Sequence, residues 1–236
     1  MRPILIVAVV AACSPRAVTP SARTFVMDSP VGPDLGKSDA QFDVSKVGAM
    51  FGPSLTTGNG RLRHAVGPQV MIEGDAGILH VSNAGTGEDR NAYTGRVGAV
   101  WQSEDHHIAA LAGLGGGTSR AAGSWGAGDV GFMIAGHQEH VRPVLETDIG
   151  YAAPFDSRKT FRVSDTDSTS TELRLPRNIV FKVSAGLEMG NADASLLIGL
   201  ALVKFYRLES SVVNNDLATD DDTYLAAGIG IRMKID

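Results

Sequence analysis

Beyond its first dozen residues, this 236-residue chain has no long hydrophobic run. No later segment holds the 18 or more apolar residues of a membrane helix, which excludes a helical membrane bundle. Cysteine is nearly absent: Cys13 stands alone, so no internal disulfide can form. Aromatic residues make up only 6%. The net charge of −5 gives no electrostatic case for a nucleic-acid partner. The run Gly113 to Thr118 lacks the lysine and spacing of a phosphate loop, and no cofactor is expected. Hydrophobic content of 43% and a mean hydropathy of +0.02 are ordinary for a soluble protein.

What is present is alternation. In the last thirteen residues, Leu225, Ala227, Ile229, Ile231, Met233 and Ile235 fall on one face. Tyr224, Ala226, Gly228, Gly230, Arg232, Lys234 and Asp236 fall on the other. The register recurs along the chain. Ile179, Phe181, Val183, Ala185 and Leu187 oppose Lys182, Ser184, Gly186 and Glu188; Val141, Leu145 and Ile149 oppose Arg142, Glu146 and Asp148. A uniformly apolar face opposite a charged one is how a strand reads with lipid on its outside. A membrane protein without membrane helices has to be a closed barrel, because lipid cannot satisfy free backbone groups.

Strand-like segments are expected at about 45–56, 63–73, 76–83, 93–102, 107–118, 126–137, 141–151, 177–190, 194–208 and 224–235. Gaps after alternate strands are short, such as Gly74-Asp75, Ser103 to His106 and Asn191 to Asp193; others, such as Ala152 to Pro176 and Glu209 to Thr223, are long. Short periplasmic turns and long external loops are the habit of outer-membrane barrels. The expected fold class is therefore all-β: a closed antiparallel transmembrane β-barrel of about ten strands. Eight remain possible if Thr57-Gly58-Asn59-Gly60 is a turn that packs differently. A lipocalin-like soluble barrel would put Leu, Ile and Met in water. Arg96, Arg142, Glu146, Asp148, Lys182, Glu188, Arg207, Arg232 and Lys234 share the inward register and are expected to pair inside a filled, non-conducting lumen. Tyr93, Trp101, Tyr151 and Tyr206 are expected at the membrane interfaces.

The first residues read as an export signal. Arg2 precedes an apolar stretch from Pro3 to Ala12, too short to span a bilayer. Val10-Ala11-Ala12-Cys13 resembles the lipobox of bacterial lipoproteins, which implies cleavage before Cys13 and acylation of its thiol. In the enteric sorting pattern, Ser14 then implies the outer membrane. Plain signal cleavage is the alternative. Three regions follow: a signal peptide at 1–12, a lipidated flexible tether at 13–44, rich in Pro, Ser, Asp and Gly, and a barrel at 45–236. Both chain ends are expected in the periplasm.

Over about 45–236 the pattern resembles the small outer-membrane β-barrel proteins, the family of the OmpA transmembrane domain and OmpX. Val141-Arg142-Pro143 through Gly150-Tyr151 looks like their R-P-Y-x-x-x-G-x-G-Y strand, with Asp148 where Gly is usual. The chain departs from the family at Asp236, where an aromatic is typical. The resemblance implies outer-membrane lipid and lipopolysaccharide as surroundings.

His80-Val81-Ser82-Asn83-Ala84-Gly85 resembles the H-x-S-N-A-G motif of lipid A 3-O-deacylases. That resemblance implies His80 as general base and Ser82 as nucleophile. Residues i and i+2 share a face of a strand, and a hydroxyl needs a base within reach. The motif's acid would fall at Thr94, so Glu88 or Asp89 is the available carboxylate. Four histidines, His106, His107, His137 and His140, fall on two expected periplasmic turns and could bind Zn²⁺ or Cu²⁺; solvated turns are the plain alternative. Asp165, Asp167, Asp216, Asp220, Asp221 and Asp222 sit in long loops without EF-hand spacing. Two function classes stay open: a non-enzymatic envelope protein with a structural or surface-interaction role, and a lipid-A-modifying esterase using His80 and Ser82.

Overall fold

The structure, a computed structural model, describes residues 17–48, 54–82, 91–137, 140–164, 170–191, 193–213 and 222–235. Their strands are β1 (Ser38–Gly48), β2 (Ser54–Gly67), β3 (Val70–Ser82), β4 (Asn91–Gln102), β5 (Ile108–Ser119), β6 (Gly123–Ala135), β7 (Val141–Pro154), β8 (Thr160–Ser164), β9 (Ser170–Arg174), β10 (Asn178–Gly190), β11 (Ala194–Arg207) and β12 (Asp222–Ile235). Ten of them close an antiparallel barrel in the order β1-β12-β11-β10-β7-β6-β5-β4-β3-β2. Strands β8 and β9 form a separate hairpin in the connection between β7 and β10. The seam pairs the first strand with the last, from Ser38↔Ile235 to Gly48↔Leu225.

The register follows side-chain chemistry. Phe42, Val44, Leu62, Ile72, Val97, Leu114, Val130, Leu145, Ile149, Leu200 and Ile229 all point outward and are exposed, Leu114 at 71%. Their neighbours Asp43, Arg61, Arg63, Glu73, Arg96, Asp129, Glu146 and Asp148 point inward and are buried. A one-residue slip would exchange the two sets, so the pairing is strongly specified. Tyr93, Tyr151 and Tyr206 are exposed toward the rim with the long connections, and Trp101 toward the opposite rim.

Strands β4 to β7 and β10 to β12 lie where the alternation places them, but the first three do not. The expected strand 45–56 straddles the β1–β2 connection, and Gly74-Asp75, expected as a turn, lies inside β3. Thr57-Gly58-Asn59-Gly60 is likewise strand. The Asn-Gly turn signal is overridden because the Asn59 amide points inward and donates to Asp43 at 2.5 Å. The β2–β3 turn is instead at Gly67 to Val70.

A larger correction concerns the expected tether. Of residues 13–44, the described part begins at Ala17, and it is not a tether. From Ser38 the chain is already β1. Residues 17–37 form a strap without regular secondary structure; 17–33 run inside the barrel, with Thr19, Ala22, Arg23, Phe25, Val26, Met27, Asp28 and Ser29 all buried, and 34–37 are exposed at its rim. A segment enclosed by wall on every side has no solvent face, so it shows no period. Its Thr19, Thr24, Asp28 and Ser29 find partners in the wall. An eight-stranded barrel is just filled by its own side chains. Two further strands widen the bore, and the strap occupies the added width.

Both chain ends, expected on one side, lie outside the described residues. Of the described chain, Ile235 ends at the short-turn rim, while Ala17 lies at the opposite mouth, its amide donating to Ser211 Oγ at 3.3 Å.

Candidate functional site

The lumen is the chemically densest part of the molecule, and β1 to β4 supply half of it. Arg61 on β2 donates to Asp75 on β3 at 2.6 and 3.0 Å. Arg63 meets Asp39 on β1 in the same forked geometry, at 2.9 and 2.7 Å. Arg96 on β4 reaches Asp129 on β6 at 2.8 and 2.7 Å and also pairs with Glu73. On the other side Lys182 bridges Glu146 at 2.9 Å and Asp148 at 2.8 Å. Toward the short turns Arg232 holds Glu188 at 3.2 Å, and Arg142 approaches Glu188 at 3.6 Å. Forked arginine–carboxylate pairs satisfy several donors at once, which is how buried charge is tolerated.

The strap enters this network as a partner. Arg23 pairs with Glu146 at 3.0 Å and Asp148 at 3.4 Å, as well as with Asp28 of the strap itself. Asp28 in turn pairs with Arg61. The guanidinium of Arg61 lies 4.2 Å from the Phe25 ring centroid. Lys182 donates to the Phe25 carbonyl at 2.9 Å, and Arg63 to the carbonyls of Ser29 and Val31 at 2.7 and 3.1 Å. Apolar clusters complete the filling: Ala65, Met71, Val100, Ala109, Leu111 and Met133 on one side, and Met27 with Ala135, Val144 and Leu197 on the other.

Of the expected inward charges, Arg96, Glu146, Asp148, Lys182, Glu188, Arg207 and Arg232 are buried in the lumen. Lys234 pairs at the rim with Asp34 at 2.8 Å. Asp39, Arg61, Arg63, Glu73, Asp75 and Asp129 were missing from that expectation. On the early strands the signal is present, since Arg61 and Arg63 flank outward Leu62, but the misplaced boundaries hide it; Asp129 lies on the correctly placed β6, opposite outward Val130. Nothing in the local pattern marks Arg23 or Asp28.

His80 lies on the outward face of β3, exposed, one inter-strand step from the rim with the long connections. It shares that face with Ile78, and its Nδ1 is 2.8 Å from Oδ1 of Asn91, its cross-strand partner. His80 is thus not a lumenal polar residue. Thr94, on the acid's motif position, points inward and is buried, on the opposite face of the sheet from His80. The backbone of Ser82 ends β3; Glu88, Asp89 and Cys13 lie outside the described residues.

Of the four turn histidines the structure brings two into contact. The rings of His107 and His137 are 3.5 Å apart between centroids, tilted by 55°. His107 Nδ1 is 3.2 Å from the Ala135 carbonyl oxygen. In the same turn Asp105 accepts from the Ser103 hydroxyl and the His107 amide, which hold its carboxyl below the usual range. His106 is exposed with a φ of 57°, and His140 is exposed as well. Among the described residues no three His, Cys, Asp or Glu converge on a point that could hold a metal ion. Asp165, Asp167, Asp216, Asp220 and Asp221 lie outside the described residues.

No protein-family model matches the chain, and no curated protein sequence matches it. Several solved outer-membrane barrels are similar in shape. The β domain of the Bordetella autotransporter BrkA is 9% identical, with 86% of this chain and all of that one covered, at a TM-score of 0.47. The N-terminal β-barrel domain of Pseudomonas aeruginosa OprF is 8% identical, over 86% and 100% of the two chains, at 0.40. The outer-membrane enzyme PagL is 14% identical, over 84% and 99%, at 0.38. At these scores none bears on what the chain does.

Proposed function

We propose that the chain is a bacterial outer-membrane lipoprotein that spans the bilayer as a closed, non-conducting barrel, with a structural or surface-interaction role. One observation carries this: the barrel is apolar outside and filled with paired charge inside. A soluble monomer rarely exposes apolar patches above a few hundred Å². Here the apolar surface runs round the barrel, on strands of 11 to 14 residues, long enough for the ~9–11 that a tilted strand needs to cross hydrocarbon. The strap, the ion pairs and the apolar clusters occupy the bore. The chemistry of the lipobox makes Cys13 the acylated residue, and the short turns face the periplasm by the habit of such barrels. Reconstitution into planar bilayers tests the function. The purified protein should need detergent for solubility and give no stepwise conductance. Solubility without detergent, or sustained conductance, would overturn it.

The esterase reading is kept as a second proposal because His80 faces outward near the external rim, beside the acyl chains of outer-leaflet lipid. Asn91 would orient the imidazole and Ser82 would attack the ester carbonyl. Expression in a host whose lipid A carries 3-O-linked acyl chains decides it. Loss of one acyl chain by mass, abolished in Ser82→Ala, is expected of an esterase; unchanged lipid A ends this reading and leaves the first intact.

A further inference from the structure

We propose that the strap carries the amino end of the mature chain through the barrel to the cell surface. The inference rests on the barrel reading above, with short turns in the periplasm.

The direction of the strap is fixed at three levels. At the short-turn rim, a turn at Leu35-Gly36, with Gly36 at a φ of 75°, leads into β1; the Gly36 amide donates to the Ala65 carbonyl at 2.9 Å and Lys234 pairs with Asp34. Halfway along, Arg23 and Asp28 are locked into the wall's ion pairs. At the far mouth Thr19 and Asn178 exchange two hydrogen bonds of 3.0 Å, Thr19 Oγ1 donates to the Pro176 carbonyl, and Ala17 reaches Ser211. Pro176 and Ser211 belong to the two long connections.

The wall is shaped for this passenger. A Cβ at Gly199 would lie 2.9 Å from Met27 Cβ, and one at Gly228 would lie 3.0 Å from Val26 Cβ. These lumen-facing positions carry no side chain where the strap passes.

Three separate versions of the full-length protein, each carrying one epitope in otherwise native outer membrane, test this. The epitopes lie between Ser14 and Pro15, inside the connection 214–221, and after Asp236. An antibody that cannot cross the membrane should bind the first two on intact cells and the third only after permeabilisation. If the connection is labelled on intact cells and the Ser14 epitope is not, the strap inference fails and the barrel's orientation stands. If the connection is hidden and the carboxyl end is exposed, the orientation itself fails and takes the inference with it. Should the Ser14 insertion block assembly, Val26→Cys with Gly228→Cys gives a second measurement. Most of the folded protein should form that disulfide, seen as a mobility shift on non-reducing gels; no crosslink would overturn the inference.

Discussion

Arg23→Ala removes the cation that ties the strap to two carboxylates of the wall. Arg23 is buried with Glu146 at 3.0 Å, Asp148 at 3.4 Å and Asp28 alongside. After the change Lys182 alone pairs with Glu146 and Asp148, and Asp28 keeps its pair with Arg61. Deleting one partner of a buried ion pair costs about 3–5 kcal/mol, because the other charge stays buried and uncompensated. For a chain of this size each kcal/mol lowers the thermal midpoint by roughly 2–4 °C, so a fall of roughly 6–20 °C is expected. Circular dichroism of the detergent-solubilised protein during heating is the assay. A compensated variant separates charge from packing: Arg23→Met with Glu146→Gln should recover most of the loss, since it removes one charge of each sign and leaves Lys182 paired with Asp148 at 2.8 Å. The energies should be strongly non-additive, as they are for residues in one network. A midpoint within 2 °C of the parent for Arg23→Ala would refute the reasoning, because a strap lying outside the lumen would expose that side chain to water.

Glu188→Leu should also lower the midpoint by several degrees, because Glu188 accepts from Arg232, Ser29 and Ser195, joining strap to wall. Gly199→Val should leave the barrel closed but crowd Met27; proteolysis of the folded protein should then cut the strap at Arg23, which the parent protects. The Asp34 carboxyl is held below its ordinary range by the hydrogen bond from Lys234. That clasp is present above the ordinary value of about 4 and is lost as pH falls through the lowered one. Protection of the Gly36 and Lys37 amides, taken relative to the intrinsic exchange rate at each pH, should fall below that range, and should already be low at neutral pH in Lys234→Met. Zinc titration should show at most weak binding through the contacting pair, abolished in His137→Ala; affinity unchanged by that substitution would place the metal elsewhere.

The alternation made most of the wall legible. Leu225 to Ile235 and Ile179 to Leu187 sit outward as their period demands, because lipid and lumen impose opposite chemistry on neighbouring residues. The first hairpin was misplaced for a physical reason. Gly58, Gly60 and Gly74 read as turn formers, yet on the outward face a strand needs no side chain for pairing, and the residues between them carry the inward polar groups. The strap was illegible because local sequence encodes a face only when two sides of a segment differ. Arg23 and Asp28 are understood only once Glu146, Asp148 and Arg61, far along the chain, converge on them. At His80, the sequence placed imidazole and hydroxyl on one face; that this face is the outer one follows from the register of β3.

The seam between β1 and β12 sets the order in which such a molecule can be built. Strand β1 begins directly after the strap, and its partner is the last strand made. Until β12 arrives the sheet is an open trough with two unpaired edges, and the strap has to lie in that trough before the edges meet. Once eleven residue pairs have zipped, the passage is sealed against a late arrival. Pairing of such sequence separation is intrinsically slow. The strap then serves as the form around which the cylinder is closed, and a chain lacking it would close on an unfilled bore.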